Sequence, residues 1–361
     1  MNFLVNRDQI LEVISKVRHY AEKDGKGHFA WSSCVKITAA AKELFLEVFT
    51  LEAPTVIFRL DVGVDIKQQG FVVVQCKTVN DVLSSMPPQS VINFSIKDNN
   101  LKIQQSRRVI SLPIMSTEFP AAKDLSGLVF KKMPHICKKV NSVLYATKED
   151  ETRVVTGCVH IHNGFVVGTD GHRLAYVTTG DCDIQDCLIP AKVFGKISKV
   201  FNKEEQEAVE VASDDSCLYL RSGNGIVGIR RVARDYLRWQ TLLPNISLTK
   251  CLTFNKDSMK DALRAVSIAS NSESKGVVFK FSKDGNVKIF AKSNESHLAA
   301  EEVIDYTGDL IDFDYSINSD YLIDLLNNLE LGEATMRVIS SNEKTIFIEG
   351  DTTQLIMPLK L

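Results

Sequence analysis

The chain repeats itself, and that constrains its fold more than any other feature. Three strand–turn–strand segments can be laid over one another at steps of about 120 residues. They are LFLEVFTLEAPTV turning near Thr50, GFVVGTDGHRLAYVTT turning at Thr169, and VKIFAKSNESHLAAEEV turning at Ser293. A second set follows: VINFSIKDNNLKI turning at Asp98, AVEVASDDSCLYL at Asp214 and ATMRVISSNEKTIFI at Asn342. Apolar and polar residues alternate on both sides of each turn, the pattern of a half-buried hairpin. Phe119-Pro120 closes the first section, Leu243-Pro244 the second, and the sequence given closes the third.

Each section also carries two helical periodicities. The first helices are expected at Asp8–Tyr20, Lys131–Leu144 and Lys256–Ile268. The second are expected at Lys77–Met86, Ala191–Phe201 and Ser319–Leu329. The expected fold class is α+β: three repeated β-rich domains with two helices each, at 1–122, 123–246 and 247–361.

Charge then bears on partners. Lys plus Arg total 43 against 45 Asp plus Glu, a net charge of −2. A general nucleic-acid coat protein would be plainly basic. The charge is unevenly placed, however. Lys192, Lys196, Lys199 and Lys203 recur at helical spacing with no acid among them, and Lys131, Lys132, Lys138 and Lys139 mark the other helix of that section. Lys256, Lys260 and Arg264 repeat at i, i+4, i+8. Ser319–Leu329 is the acidic exception. Summed, the predicted helices are basic and the strands with loops acidic. Such lysine faces read either as solvated helix surface or as a surface for phosphates, which lysine binds without reading sequence.

The turn Thr169-Asp170-Gly171-His172-Arg173-Leu174-Ala175 resembles the signature of the bacterial DNA polymerase III β subunit, the sliding-clamp family. Glu151-Thr152-Arg153 with Thr156-Gly157, Leu188-Ile189-Pro190-Ala191-Lys192, Leu242-Leu243-Pro244 and the terminal Ile356-Met357-Pro358-Leu359-Lys360-Leu361 extend the resemblance over the whole chain. The least similar stretch is His28-Phe29-Ala30-Trp31. The resemblance implies the DNA clamp fold and a head-to-tail homodimer closed into a ring around double-stranded DNA. It implies a processivity factor that tethers the replicative DNA polymerase alpha subunit. Further partners would be an ATP-dependent clamp loader, and repair and translesion polymerases carrying clamp-binding peptides.

Carried over by position, the peptide pocket would include Val155, Thr169, Gly171, His172, Arg173, Leu174, Pro244, Thr345, Ile356, Met357, Pro358 and Leu359. The DNA-facing set would be Lys131, Lys132, Lys138, Lys139, Arg153, Lys192, Lys196, Lys199, Lys203, Lys256, Lys260 and Arg264. At the ring joint Ile268 would face Val109 of a second copy.

Other readings are less economical. Asp170 and His172 sit two apart in a turn, and no GxSxG elbow supplies a nucleophile. No GxxxxGK[ST] loop is present, so the chain is not expected to be an enzyme or to hydrolyse ATP. Cys158, His160 and His162 alternate on a strand, but no fourth metal ligand is signalled. No metal or cofactor is expected. The eight cysteines form no CxxC, and reduced, buried thiols are expected. With no signal peptide and no run of ~18 apolar residues, a cytoplasmic protein with no membrane partner is expected. The alternative function is a repeat-built interaction scaffold that never encircles DNA.

Overall fold

The computed structural model describes residues 1–23, 29–116, 118–180, 184, 186–293, 297–311 and 313–360. His28 and Cys182 lie outside the described residues.

The first section runs β1 (Asn2–Asn6), α1 (Arg7–Arg18), β2 (Cys34–Ala40), β3 (Glu43–Val48), β4 (Thr55–Leu60), β5 (Val64–Gln68), β6 (Gly70–Gln75), α2 (Cys76–Ser84), β7 (Val91–Lys97), β8 (Asn100–Gln105) and β9 (Arg108–Pro113). The middle section runs β10 (Lys131–Lys132), α3 (Ile136–Leu144), β11 (Cys158–His162), β12 (Phe165–Thr169), β13 (Arg173–Thr178), β14 (Cys187–Pro190), α4 (Ala191–Phe194), α5 (Ile197–Val200), α6 (Lys203–Glu207), β15 (Glu210–Ser213), β16 (Cys217–Ser222) and β17 (Gly225–Arg230). The last runs β18 (Lys250–Asn255), α7 (Lys256–Ser267), β19 (Gly276–Phe281), β20 (Asn286–Lys292), β21 (Ala299–Asp305), β22 (Thr307–Gly308), β23 (Tyr315–Asn318), α8 (Ser319–Asn328), β24 (Glu333–Val338), β25 (Thr345–Glu349) and β26 (Thr352–Ile356).

The order recurs. Each section has a strand, a helix and a three-stranded antiparallel meander, then two strands (one in the middle section), a helical segment and a second meander. The six hairpin turns read from the sequence are those of the meanders.

Backbone contacts group the chain into two compact units, residues 1–138 with 184–233, and 139–183 with 234–361. In the first unit one sheet has the order β5-β1-β7-β8-β9 and the other β10-β15-β16-β17-β4-β3-β2-β6. The joint in the second is β17 against β4, where Val227 faces Val56. In the second unit the strands run β11-β12-β13-β26-β25-β24-β18-β22 and β21-β20-β19-β23. There β13 pairs with β26, and Leu174 faces Leu355. The middle section thus lends one meander to each unit.

The helices lie where amphipathic spacing puts them. Ile10, Val13, Ile14 and Val17 are the buried stripe of α1, and Met259, Ala262, Leu263 and Val266 that of α7. Both follow i, i+3, i+4, i+7, one face of a helix. The α7 stripe joins Leu322, Leu325 and Leu326 of α8 in a core completed by Val277, Phe279 and Ile289. Three of the helices begin alike. Asn6, Asn255 and Asn318 each accept a backbone N–H of the first turn on the side-chain oxygen, satisfying a donor the helix leaves open.

Two helical expectations change. The helix expected at Lys131–Leu144 begins at Ile136, and Lys131 and Lys132 form β10, paired with Val211 and Glu210 of β15. Ala191–Phe201 is also not one helix. It is interrupted at Gly195-Lys196, and Phe201 is extended (φ −110°, ψ 127°) before Asn202 caps α6. Lys192, Lys196, Lys199 and Lys203 therefore do not share one continuous helix face.

Candidate functional site

The turn between β12 and β13 is built by its own side chains. The Asp170 carboxylate accepts the N–H groups of His172 and Arg173 at 2.9 and 3.0 Å. The Thr169 hydroxyl donates to the Arg173 carbonyl at 2.6 Å and accepts from Gly171 N–H at 3.1 Å. Gly171 has φ +91°, a left-handed conformation that favours glycine. Asp170 is 3% exposed and spent on this scaffold, so it is no acid–base pair with His172.

Arg173 ties the turn to α8. Its guanidinium donates to Asp170 at 3.0 Å and to Asp324 at 2.7 Å. It also lies over the rings of Tyr321 and Tyr145, at 4.6 and 5.4 Å. Tyr145 in turn donates to Gln354 of β26. Asp324, one of the acids that made the helix read as acidic, therefore shares an arginine with Asp170.

On the other face of this sheet lies a groove of about 250 Å³. Tyr176, Thr353, Leu355 and Ile346 line it from three adjacent strands, and Leu243, Pro244, Asn245, Ile246 and Ser247 from the following loop. Leu174 packs beneath, with Val167 and Trp239. The register explains this lining. Tyr176 faces Thr353, Leu174 faces Leu355, and Leu355 faces Ile346, so two rungs turn one way. The rung between them, Ala175, Gln354 and Phe347, and the one beyond Leu174, which is Arg173, Ile356 and Thr345, turn the other way, toward α8.

Of the twelve expected pocket residues, Pro244 lines the groove and Leu174 supports it. Thr345 and Ile356, at 0% and 1% exposure, are core and do not line it. Arg173 is consumed by its two carboxylates and does not line it either. Thr169, Gly171 and His172 form the turn, where His172 is exposed and stacks on Tyr321 at 6.2 Å. The Met357 N–H donates to the His172 carbonyl at 2.8 Å, leaving Met357 42% exposed beside the turn. Pro358 and Leu359 are half-buried, and Leu359 N–H donates to Ser316. Val155 is half-buried on the short 3-10 helix Val154–Gly157. The lining residues missed, Tyr176 and Leu355 foremost, carried a signal: both are two residues from a residue of their own face.

A larger concavity, about 540 Å³, lies among Lys280, Phe281, Lys288, Phe290, Glu301 and Val303. Lys288 pairs with Glu301 at 3.0 Å across it. The smaller groove carries the stronger case because Tyr176, Leu243, Pro244, Ile246, Ile346 and Leu355 give it an apolar lining, to which Asn245, Ser247 and Thr353 add a few polar groups.

The expected cations fall into two groups. Lys139 donates to the Thr178 carbonyl and Lys256 to the Leu329 carbonyl, so both tie local structure. Arg153 pairs with Asp150 and Arg264 with Asp261. Lys138 is exposed, Lys260 half-buried, and Lys203 shares α6 with Glu204, Glu205 and Glu207. The strongest cluster is in the first unit. Lys192 and Lys199 are exposed, and Lys196 lies half-buried over Tyr20 at 5.4 Å. Burial lowers the Lys196 pKa; Lys192 and Lys199 lower it further, while Glu52 and Glu22 work against them. Burial also lowers the His19 pKa, with help from Lys199, Arg18 and Lys196. Arg18 and His19 join this cluster through the packing of α1, which the sequence alone did not signal.

On β11, burial pushes the Cys158 thiol up to about 11, and His160 and His162 stack on each other at 5.2 Å. Of the seven described cysteines none is joined in a disulfide, and the expected burial holds for six, Cys251 being half-buried. No helix among the described residues is long and apolar enough to cross a membrane.

Comparison with known proteins decides the family. Residues 1–123 match the profile of the DNA polymerase III beta subunit, N-terminal domain, and residues 240–360 that of its C-terminal domain. The chain belongs to the bacterial beta sliding clamp family. This family is the processivity factor of DNA polymerase III and a non-catalytic subunit of it. The beta sliding clamp of Pseudomonas aeruginosa is 20% identical over 376 residues, covering 100% of both chains. That of Synechocystis sp. is 24% identical over 336 residues, covering 82% of this chain and 84% of its own. A crystal structure of the Pseudomonas aeruginosa DNA polymerase III subunit beta superposes with a TM-score of 0.90 at 19% identity over 100% of both chains. The clamp fold that the resemblance implied is thus present.

Proposed function

We propose that two copies of this chain join head to tail as a closed ring that encircles double-stranded DNA. In each copy, three domains (1–122, 123–246 and 247–361) would supply the arc. The observation that carries this is a pair of open sheet edges. In the first unit β9 ends the sheet β5-β1-β7-β8-β9, and in the second unit β21 ends the sheet β21-β20-β19-β23. An edge strand presents unpaired N–H and C=O groups and invites a partner strand. Val109 is 50% exposed on β9, next to Arg107 and Arg108, whereas β21 carries Glu301 and Glu302. Basic edge against acidic edge is a heterologous, head-to-tail pairing, which makes a ring where the rotation between copies closes. Ile268, 75% exposed at the end of α7, would lie at the same joint.

The lysine cluster of α4 and α5 would face phosphates. Modest charge suits a ring, because topology keeps it on DNA while strong phosphate contacts would oppose sliding. The groove at Tyr176 and Leu355 would take short apolar peptides from the replicative DNA polymerase alpha subunit, the ATP-dependent clamp loader, and repair and translesion polymerases. Tethering makes rebinding an intramolecular step, which is the gain in processivity.

The decisive experiment uses nicked circular DNA. Protein loaded on the circle and then separated by gel filtration should co-elute with it, and linearising the circle should release it. Equal retention on circular and linear DNA would sink the ring and favour an ordinary DNA binder; no retention on either would favour the scaffold reading.

A further inference from the structure

We propose that Phe29 and Trp31 form a base-stacking platform for single-stranded DNA, beside the lysines of α4 and α5. The proposal rests on the DNA-holding reading above and adds a second kind of contact to it.

The two rings lie 4.8 Å apart and 7° from parallel. Trp31 is braced edge-on against Phe49 at 5.1 Å and 86°. Phe29 is the outer ring and is 46% exposed. A stack held from within and open at its outer ring offers a flat apolar face. The backbone below it is fixed. The Ser32 hydroxyl, in a residue 1% exposed, donates to the Glu22 carboxylate at 2.7 Å, with its oxygen 2.8 Å from the Phe29 carbonyl oxygen. Glu22 N–H donates to the Ser32 carbonyl at 2.9 Å. An exposed aromatic pair set on so rigid a turn is already organised for a planar ligand.

Position selects the ligand. Tyr20, two residues before the Glu22 that anchors the turn, lies under the Lys196 ammonium at 5.4 Å and donates to the Val193 carbonyl of α4 at 3.5 Å, which sets the turn beside Lys192, Lys196 and Lys199. Glu22 is engaged with the Ser32 hydroxyl. Cations flanking an exposed aromatic stack are the pairing that holds single strands: lysines take the phosphates and the ring takes a base face. A base inside a duplex has both faces covered by its neighbours. The platform therefore favours unpaired bases, whatever their identity, since every base has a π-face.

The test uses the full chain and three variants at Phe29. Short oligo(dT) should quench tryptophan emission by stacking near Trp31, while an abasic oligonucleotide of equal charge should not. By fluorescence anisotropy, Phe29→Ala should weaken oligo(dT) about tenfold and leave the abasic strand unchanged. Phe29→Trp should keep the affinity, and Phe29→Leu should lose it. Equal oligo(dT) affinity in wild type and Phe29→Ala, without quenching, would overturn the proposal. Full affinity in Phe29→Leu would also overturn it, by showing an apolar contact of the kind a protein partner makes. Circle retention in the wild type separates the two readings: retention with a negative oligo(dT) result defeats the platform alone.

Discussion

Arg173 is one charge facing two carboxylates and two aromatic rings. With Asp170 1% exposed at its side chain, removing the guanidinium leaves a buried carboxylate without its ion-pair partner. Arg173→Met should lower stability by about 3 kcal/mol in urea denaturation, whereas Arg153→Met, at an exposed pair, should change it by less than about 1 kcal/mol. The thiols make a second residue-scale prediction. Burial raises the Cys137 pKa to about 12 and that of Cys158 to about 11, far above the pH at which thiolates form freely. At pH 8 both should resist a disulfide reagent in the native protein and react once it is unfolded; fast native labelling at either site would contradict their burial. The sequence named the residues of the central turn correctly as a hairpin because Asp-Gly is a local signal. It could not tell which neighbours faced the groove, because Arg173 and Leu174 differ by one position and side chains alternate faces.

At the scale of elements, the shared cap is Asn-x-Asp: Asn6-Arg7-Asp8, Asn255-Lys256-Asp257 and Asn318-Ser319-Asp320. The asparagine satisfies an open N–H, and the following aspartate sits at the positive end of the helix dipole. Asn255→Ala and Asn318→Ala should each cost about 1 kcal/mol in chemical denaturation. This motif was legible in the sequence, but it marks only the first and last sections, whereas the hairpins recur in all three. The broken helix at Gly195 was harder to read, since Lys192, Lys196 and Lys199 keep helical spacing through the interruption. The loop Leu243–Ser247 is one wall of the groove, and Ile246 is 44% exposed. Ile246→Asp should leave the fold intact by circular dichroism and weaken an apolar clamp-binding peptide at least tenfold in fluorescence polarisation. Unchanged affinity would place the peptide elsewhere.

At the scale of the molecule, the repeat fixed the element order, but not how the middle section is divided. Its two meanders join different compact units, because strand pairing at β17–β4 and β13–β26 is decided by distant partners. Assembly should depend on the open edges. Val109→Glu on β9 would put an acid where acidic β21 is expected to pair, and sedimentation should then show one chain per particle at micromolar concentration in place of two. The pairing of β13 with β26 also has a temporal side. Tyr145 and its partner Gln354 are 209 residues apart, and Leu174 waits equally for Leu355. On the ribosome, β13 must stand with one edge open until nearly the whole chain has emerged. Contacts this distant in sequence close slowly, since the loop entropy is lost before the ladder rewards it. The groove floor is therefore among the last surfaces to form, and a nascent or C-terminally shortened chain cannot compete for the partners of the finished protein.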